Sequence, residues 1–302
     1  ADLFLDRGQR VVSMRGRAYG ATREFVDEHP QLWPDLPVIL LVDEHSASAA
    51  EIVAGALQDH DRAVLLGETT YGKGSAQSVY HLGDGGALKL TTARWYTPVG
   101  RSIQSEMEEE EGDESELDED EDDAPPDDTL SERPLSEREA FRTDGGRVVY
   151  GGGGITPDLF VEPRVTAGDD GFWRALGSDI PRFRDALTDY AVSLKVSGRV
   201  PSRDFSVTPD MREELWRRLQ QRGITVSRAA WDSAAPLVSR VLGNEIARYA
   251  FGPEAEYRRQ MGEDRVIATA LELAAGARAQ GELLERAAER RAAKREDAPA
   301  EQ

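Results

Sequence analysis

Two short segments carry residue types that can do covalent chemistry: a serine among small residues and a lysine between glycines. The first reads Asp43-Glu44-His45-Ser46-Ala47-Ser48-Ala49-Ala50-Glu51-Ile52. A continuous apolar run, 37–42, precedes it, and Ile52, Val53, Ala56 and Leu57 follow at helical spacing. Ser48 therefore falls where a buried strand hands over to a helix of about 48–58. Backbone N–H groups at such a helix start lack intrahelical partners and can meet a developing oxyanion, with Ser48 and Ala49 as the candidate donors. A purely structural role fits the same text: Ser48 with Glu51 spells a capping box, and Ser46 would serve equally as the cap. His45 stands too close in the chain to be assigned as a base for Ser48. The G-x-S-x-G elbow is absent, since Ser46 and Ala50 stand where its glycines would be.

The second segment is Gly67-Glu68-Thr69-Thr70-Tyr71-Gly72-Lys73-Gly74-Ser75-Ala76-Gln77. It nearly spells a phosphate-binding loop, but Gly74 replaces the hydroxyl that would hold magnesium. Val79-Tyr80 is also β-prone where a helix should start. Gly72 and Gly74 instead give Lys73 an uncrowded backbone, so that its amine can be pressed into a tight site. Desolvation would lower the lysine pKa, and a neutral amine can take the proton of a serine hydroxyl. Gln77 would hold that amine by hydrogen bonding without adding charge. The plain alternative for Lys73 is a solvated lysine in a glycine-rich turn.

Composition narrows the remaining choices. The chain of 302 residues has no cysteine, which excludes disulfides, thiol nucleophiles and thiolate metal sites. Its four histidines show no H-E-x-x-H spacing, and no metal or cofactor is expected. The formal net charge of -20 argues against nucleic acid as a partner. Sixteen acidic residues and no Lys or Arg lie between Glu106 and Asp128, so one segment supplies most of that charge. No apolar stretch is long enough to span a bilayer. Ala1-Asp2-Leu3-Phe4-Leu5 lacks the basic region of a signal peptide.

Strand and helix signals alternate over 1–160, within a domain expected over 1–163. Val11–Met14 predicts a short strand, Thr22–Glu28 a short helix or turn, and Ala63–Leu66 the strand after the Ser48 helix, parallel to 37–42. Ser78–Tyr80 and Ala87–Trp95 predict strands joined at Gly83-Asp84-Gly85-Gly86. Residues 106–140 are expected to form an acidic, disordered insertion within this domain, with order resuming at Arg147. A helical accessory region is expected over 164–293, with helices at 173–193, 209–221, 227–250 and 253–293 and a disordered tail at 294–302. Thr208 with Pro209 marks a helix start and Gly223 a stop.

Taken together, these segments resemble the carboxyl-terminal processing peptidases, or tail-specific proteases. The matching text runs from Val42-Asp43 through Ser46–Ile52, then Ala56-Leu57-Gln58-Asp59, Arg62-Ala63 and Gly67-Glu68. It goes on with Tyr71-Gly72-Lys73-Gly74, Gln77, Leu90–Pro98, Gly100–Gln104 and Gly154-Ile155-Thr156-Pro157-Asp158. The resemblance implies Ser48 as nucleophile, Lys73 as general base 25 positions later, and Gln77 as the residue that orients it. It also implies an α/β protease core resembling the crotonase fold, here followed by a mainly α-helical C-terminal region. The substrates it implies are unfolded or C-terminally exposed proteins, and the location is periplasmic or extracytoplasmic. A homo-oligomer through the helical region is a further expectation. The family carries a PDZ domain and an oxyanion-lending glycine turn ahead of the text that Ala1–Leu5 resembles. The 302 residues alone are therefore expected to hydrolyse peptides poorly, and the alternative is an impaired fragment acting as a binding or structural protein.

Overall fold

The computed structural model describes residues 1–83, 85–105, 135–162 and 167–297. The acidic run between Glu106 and Asp128 lies outside the described residues. The chain divides into two compact units: Ala1–Val161 together with Thr269–Gln302, and Glu162–Ala268. The first is an α/β core and the second is helical.

The segment around Ser48 is built as a crossover. Strand β3, Ile39–Val42, leads into helix α1, Ala49–Asp59, which returns the chain to strand β4, Val64–Gly67. β3 and β4 pair in parallel from Ile39 with Val64 to Val42 with Gly67, as the strand–helix–strand text predicts. Leu65 and Leu66 are fully buried, because β4 is flanked on its other side by a further parallel strand, β9, Leu159–Phe160. The core beneath α1 gathers Leu5, Val42, Ala54, Leu57, Leu65, Ile103 and Ile155. Burying each leucine side chain contributes about 1.5–3 kcal/mol.

A second sheet of four strands runs in the order β2-β1-β6-β5. Its members are β1, Arg10–Gly16, β2, Arg23–Val26, β5, Ser75–His81, and β6, Ala87–Tyr96. Here Thr22–Glu28 departs from the expected helix or turn. Its middle is a strand, because antiparallel pairing with β1 supplies backbone partners that a four-residue piece cannot make alone. Regular structure also resumes before Arg147. A 3-10 turn at Leu135–Glu137 leads to β7, Ala140–Arg142, which pairs with β8, Val148–Tyr150.

In the helical unit, α2 (Ala167–Leu176), α3 (Ile180–Val196), α4 (Pro209–Gln221), α5 (Arg228–Ser233), α6 (Ala235–Phe251) and α7 (Pro253–Glu263) enclose Phe172, Phe183, Leu215, Trp231 and Leu242. Thr208 caps α4 by accepting from the Met211 N–H at 3.3 Å, with Pro209 at its first position. The longer expected helices are broken where the backbone leaves the helical region. Gly177 (φ 46°) separates α2 from α3. A helix at 253–293 is instead α7, α8 (Arg265–Ala274) and α9 (Gln280–Asp297), interrupted at Asp264 and at Gly276 (φ 73°). The chain from Thr269 groups with the α/β unit instead of extending a helical region over 164–293, because α9 packs on β4 and β9. The Gln280 side chain holds both the N–H and the carbonyl of Val38 at the start of β3, at 2.7 and 3.3 Å. Among the described residues no helix is long and apolar enough to cross a membrane.

Candidate active site

Ser48 is the N-cap of α1 and is exposed, with φ 56° and ψ -115°. A non-glycine residue in that region costs about 1–3 kcal/mol and persists only where its surroundings over-determine it. The loop that delivers it is tied at several points. Ser46 Oγ donates to Asp43 Oδ1 at 2.7 Å and accepts the Asp43 N–H at 3.1 Å, while the Ser46 carbonyl takes the Tyr71 N–H at 3.1 Å. Ser46 thus shapes the turn before the helix.

The fixing contact for Ser48 comes from Glu51, three residues into the cap. Glu51 is fully buried, and its Oε2 accepts the Ser48 N–H at 2.9 Å. The same oxygen accepts the Lys73 N–H at 2.8 Å. Its Oε1 takes the Gly72 N–H at 2.7 Å and the Thr70 hydroxyl. One carboxylate therefore sets the serine and lysine backbones side by side. The sequence text assigned Glu51 only to a capping box; the capping-box spacing was the available signal, but its second set of partners lies 19 to 22 residues away.

Because Ser48 N–H is engaged by Glu51, the two candidate oxyanion donors are not equivalent. Ala49, the first residue of α1, has no acceptor for its N–H within the helix. The turn carrying Lys73 needs its glycines. Gly72 has φ 91°, and a Cβ there would lie 2.7 Å from the Ser105 Cβ; at Gly74 a Cβ would meet the Gln104 nitrogen at 2.4 Å. Gln104 Oε1 accepts the Gly74 N–H at 3.1 Å and the Gly72 carbonyl accepts the Ser105 N–H at 2.9 Å, pinning both sides of Lys73. After Gly74 the chain enters β5, not a helix, which removes the phosphate-loop alternative.

Lys73 and Gln77 depart from the enclosed arrangement expected of them. Both are exposed, and Gln77 follows a bulge in β5 at Ala76/Gln77. No hydrogen bond joins the Gln77 side chain to Lys73 among the described residues. The structure brings Ser48 and Lys73 together through their backbones, and Gln77 stands beside them in sequence register only.

Burial raises the Glu51 carboxyl above its ordinary 4.5, and the bonds from Thr70, Gly72, Ser48 and Lys73 offset only part of that. The folded chain then holds this proton more tightly than the unfolded chain. The Glu51 contribution to stability is fully present below about pH 4.5 and is lost as pH rises through the folded value. Melting temperatures of the parent and Glu51→Gln across pH 4 to 7 are expected to diverge accordingly, the parent losing ground as pH rises; a difference independent of pH would refute this.

The far end of α1 holds most of the remaining charged motif text. Arg101 is fully buried, its Nη2 donating to Asp59 Oδ1 and to Gln58 Oε1 at 3.0 Å, and its Nη1 to the Tyr150 carbonyl at 3.2 Å. Arg147 bonds Asp61 Oδ1 at 2.5 Å, the Gln58 carbonyl at 3.1 Å and Asp158, whose other oxygen takes the Leu65 N–H at 2.9 Å. Gln58-Asp59, Arg101 and Asp158 thus anchor the helix whose other end presents Ser48.

The similarity to known proteins lies in the first part of the chain. The family model of peptidase family S41 matches residues 1–111. A carboxy-terminal-processing protease of Bartonella bacilliformis is 50% identical over 103 residues, 34% of this chain and 24% of that protein. The chloroplastic carboxyl-terminal-processing peptidase 1 of Arabidopsis thaliana is 46% identical over 98 residues, 32% of this chain and 20% of that protein. Among solved structures, a photosystem II D1 C-terminal processing protease is 35% identical, covering 34% of this chain and 26% of that one, with a TM-score of 0.31. The chain spans about a quarter or less of the length of these curated relatives. Residues 1–111 thus match the model of peptidase family S41, and the relatives they are similar to are carboxyl-terminal-processing proteases.

Proposed function

We propose that the chain carries the nucleophile and the base of a serine endopeptidase that trims proteins near their C-termini. The observation that carries this reading is the shared Glu51 oxygen, which seats Ser48 and Lys73 next to one another at a strand-to-helix junction. In the reaction, Lys73 Nζ takes the Ser48 Oγ proton as Oγ attacks the scissile carbonyl. The Ala49 N–H, at the positive end of α1, stabilises the oxyanion. The protonated amine then gives its proton to the leaving nitrogen, leaving an acyl-enzyme that water hydrolyses with Lys73 again as base. The resemblance gives Gln77 the part of orienting the amine, a contact its side chain does not make with Lys73 among the described residues. Substrates on this reading are unfolded or C-terminally exposed proteins met outside the cytoplasm, the core is of the crotonase-like kind, and the helical region mediates self-association.

The rival reading, a binding or structural segment without turnover, draws on the exposed Lys73 side chain. An activated peptide ester separates the two. Rapid quenching is expected to trap an acyl adduct on the Ser48-containing peptide, with a burst of released alcohol and no adduct in Ser48→Ala. A folded parent chain that forms no adduct at Ser48 would favour the rival.

A further inference from the structure

Glu51 is a buried carboxylate, and among the described residues no cationic side chain is bonded to it. An ionised carboxylate offers about four lone-pair sites, and here four donors fill them, two on each oxygen. All four are neutral: three backbone N–H groups and one hydroxyl. Hydrogen bonds from dipoles repay only part of the cost of burying a charge, consistent with the raised carboxyl pKa. Stability alone gives no reason to keep an ion here. What the ion does is join the helix start at Ser48 to the 70–73 turn, which is remote in sequence.

The hydroxyl donor is itself tied down. Thr70 is almost fully buried, and its Oγ1 accepts the Ile155 N–H at 2.7 Å while donating to Glu51 Oε1. The Thr70 N–H returns to the Ile155 carbonyl at 3.2 Å. The hydroxyl proton is therefore aimed in one direction, because the lone pair opposite is already taken. Ile155 lies in the core beneath α1, so the alignment of the carboxylate is referred to the rigid part of the fold. Resting on the reading of Ser48 and Lys73 as nucleophile and base, we propose that Glu51 and Thr70 form a positioning couple that holds the Ser48 backbone in its strained conformation against the Lys73 turn.

The couple touches no reacting atom. It sets the backbone from which Oγ and Nζ project, so its loss changes the rate of the covalent step and leaves binding unchanged. Glutamine at 51 accepts at one atom only and turns an N–H₂ toward backbone donors. Valine at 70 keeps the shape and removes both hydroxyl bonds, whereas serine keeps them.

The test uses the whole chain and two readouts. Amide hydrogen exchange read by NMR reports the positioning directly, and acylation by the activated ester reports its consequence. The Ser48, Gly72 and Lys73 amides are expected to be protected in the parent. In Thr70→Val and Glu51→Gln they exchange roughly 10- to 100-fold faster, the range of one lost charge-assisted hydrogen bond. Acylation slows by a similar factor with the ester's apparent affinity unchanged, and Thr70→Ser restores both values. Unprotected amides in a parent that acylates Ser48 overturn the couple alone. So does unchanged exchange in both variants, or a Thr70→Ser protein that behaves like valine. Protected amides in a parent that never acylates keep the couple and sink the peptidase reading.

Discussion

Ser48→Ala and Lys73→Ala are each expected to lower peptide turnover by about 10³–10⁶-fold, and the double variant to lose little beyond either one. The experiment compares kcat on an unfolded protein substrate, in the chain itself and in a form extended upstream with the matching text of a curated relative. The magnitude follows from the chemistry. On the proposed mechanism no acyl-enzyme forms without Oγ and nothing takes the hydroxyl proton without Nζ, so either deletion removes the same covalent route. What survives is the electrostatic help of the helix start acting on water. Near-additive losses would mean the two residues do not act as a unit, and a Ser48→Ala protein with the parent's turnover would remove the assignment altogether. Running both forms separates the residues' roles from the effect of the upstream text.

The second large effect is on stability. Asp59→Asn and Arg101→Met are each expected to cost about 3–5 kcal/mol, measured by urea denaturation. Both side chains are fully buried and bonded to one another. Burial pushes the Arg101 guanidinium below its ordinary pKa, with Asp59 the main group opposing that. Removing the carboxylate strands a buried cation; removing the guanidinium leaves Asp59 with the Val99 N–H at 3.0 Å as its remaining side-chain bond. Replacing both with apolar residues, Asp59→Leu with Arg101→Met, is expected to recover much of either loss, since no uncompensated charge remains. Simple additivity in that cycle would show that the pair is not coupled. The same variants test whether the anchor at the far end of α1 matters to Ser48, because a loosened helix changes where its first turn sits.

Local text determined the pieces of this site that depend only on neighbours in the chain. The apolar run before Ser48 and the helical spacing after it specify a strand and a helix, and with two strands flanking one helix a parallel pair follows. The need for Gly72 and Gly74 is legible too, although the identity of what crowds them, Ser105 and Gln104, is not. Motif text gives Ser48 and Lys73 a chemical role and quotes Gln58, Asp59, Arg101 and Asp158 only as matching text; that these four meet at the far end of α1 is not legible in it.

Only the tertiary structure decided the rest, and the reason is the same each time. A buried polar atom takes partners from wherever the fold brings them, and sequence distance carries no information about that. Glu51 reads as a cap because its near partner, Ser48, is three residues away; its bonds to Thr70, Gly72 and Lys73 exist only once β4 returns the chain beside α1. The same closure engages the Ser48 N–H with Glu51, so of the two candidate donors only the Ala49 N–H has no partner from this carboxylate. Pairing with β1 makes a strand of Arg23–Val26, and packing on β4 and β9 draws the last helix into the α/β unit. Local propensity specifies what each segment can be, while the competition for backbone partners and buried area settles which of those forms it takes.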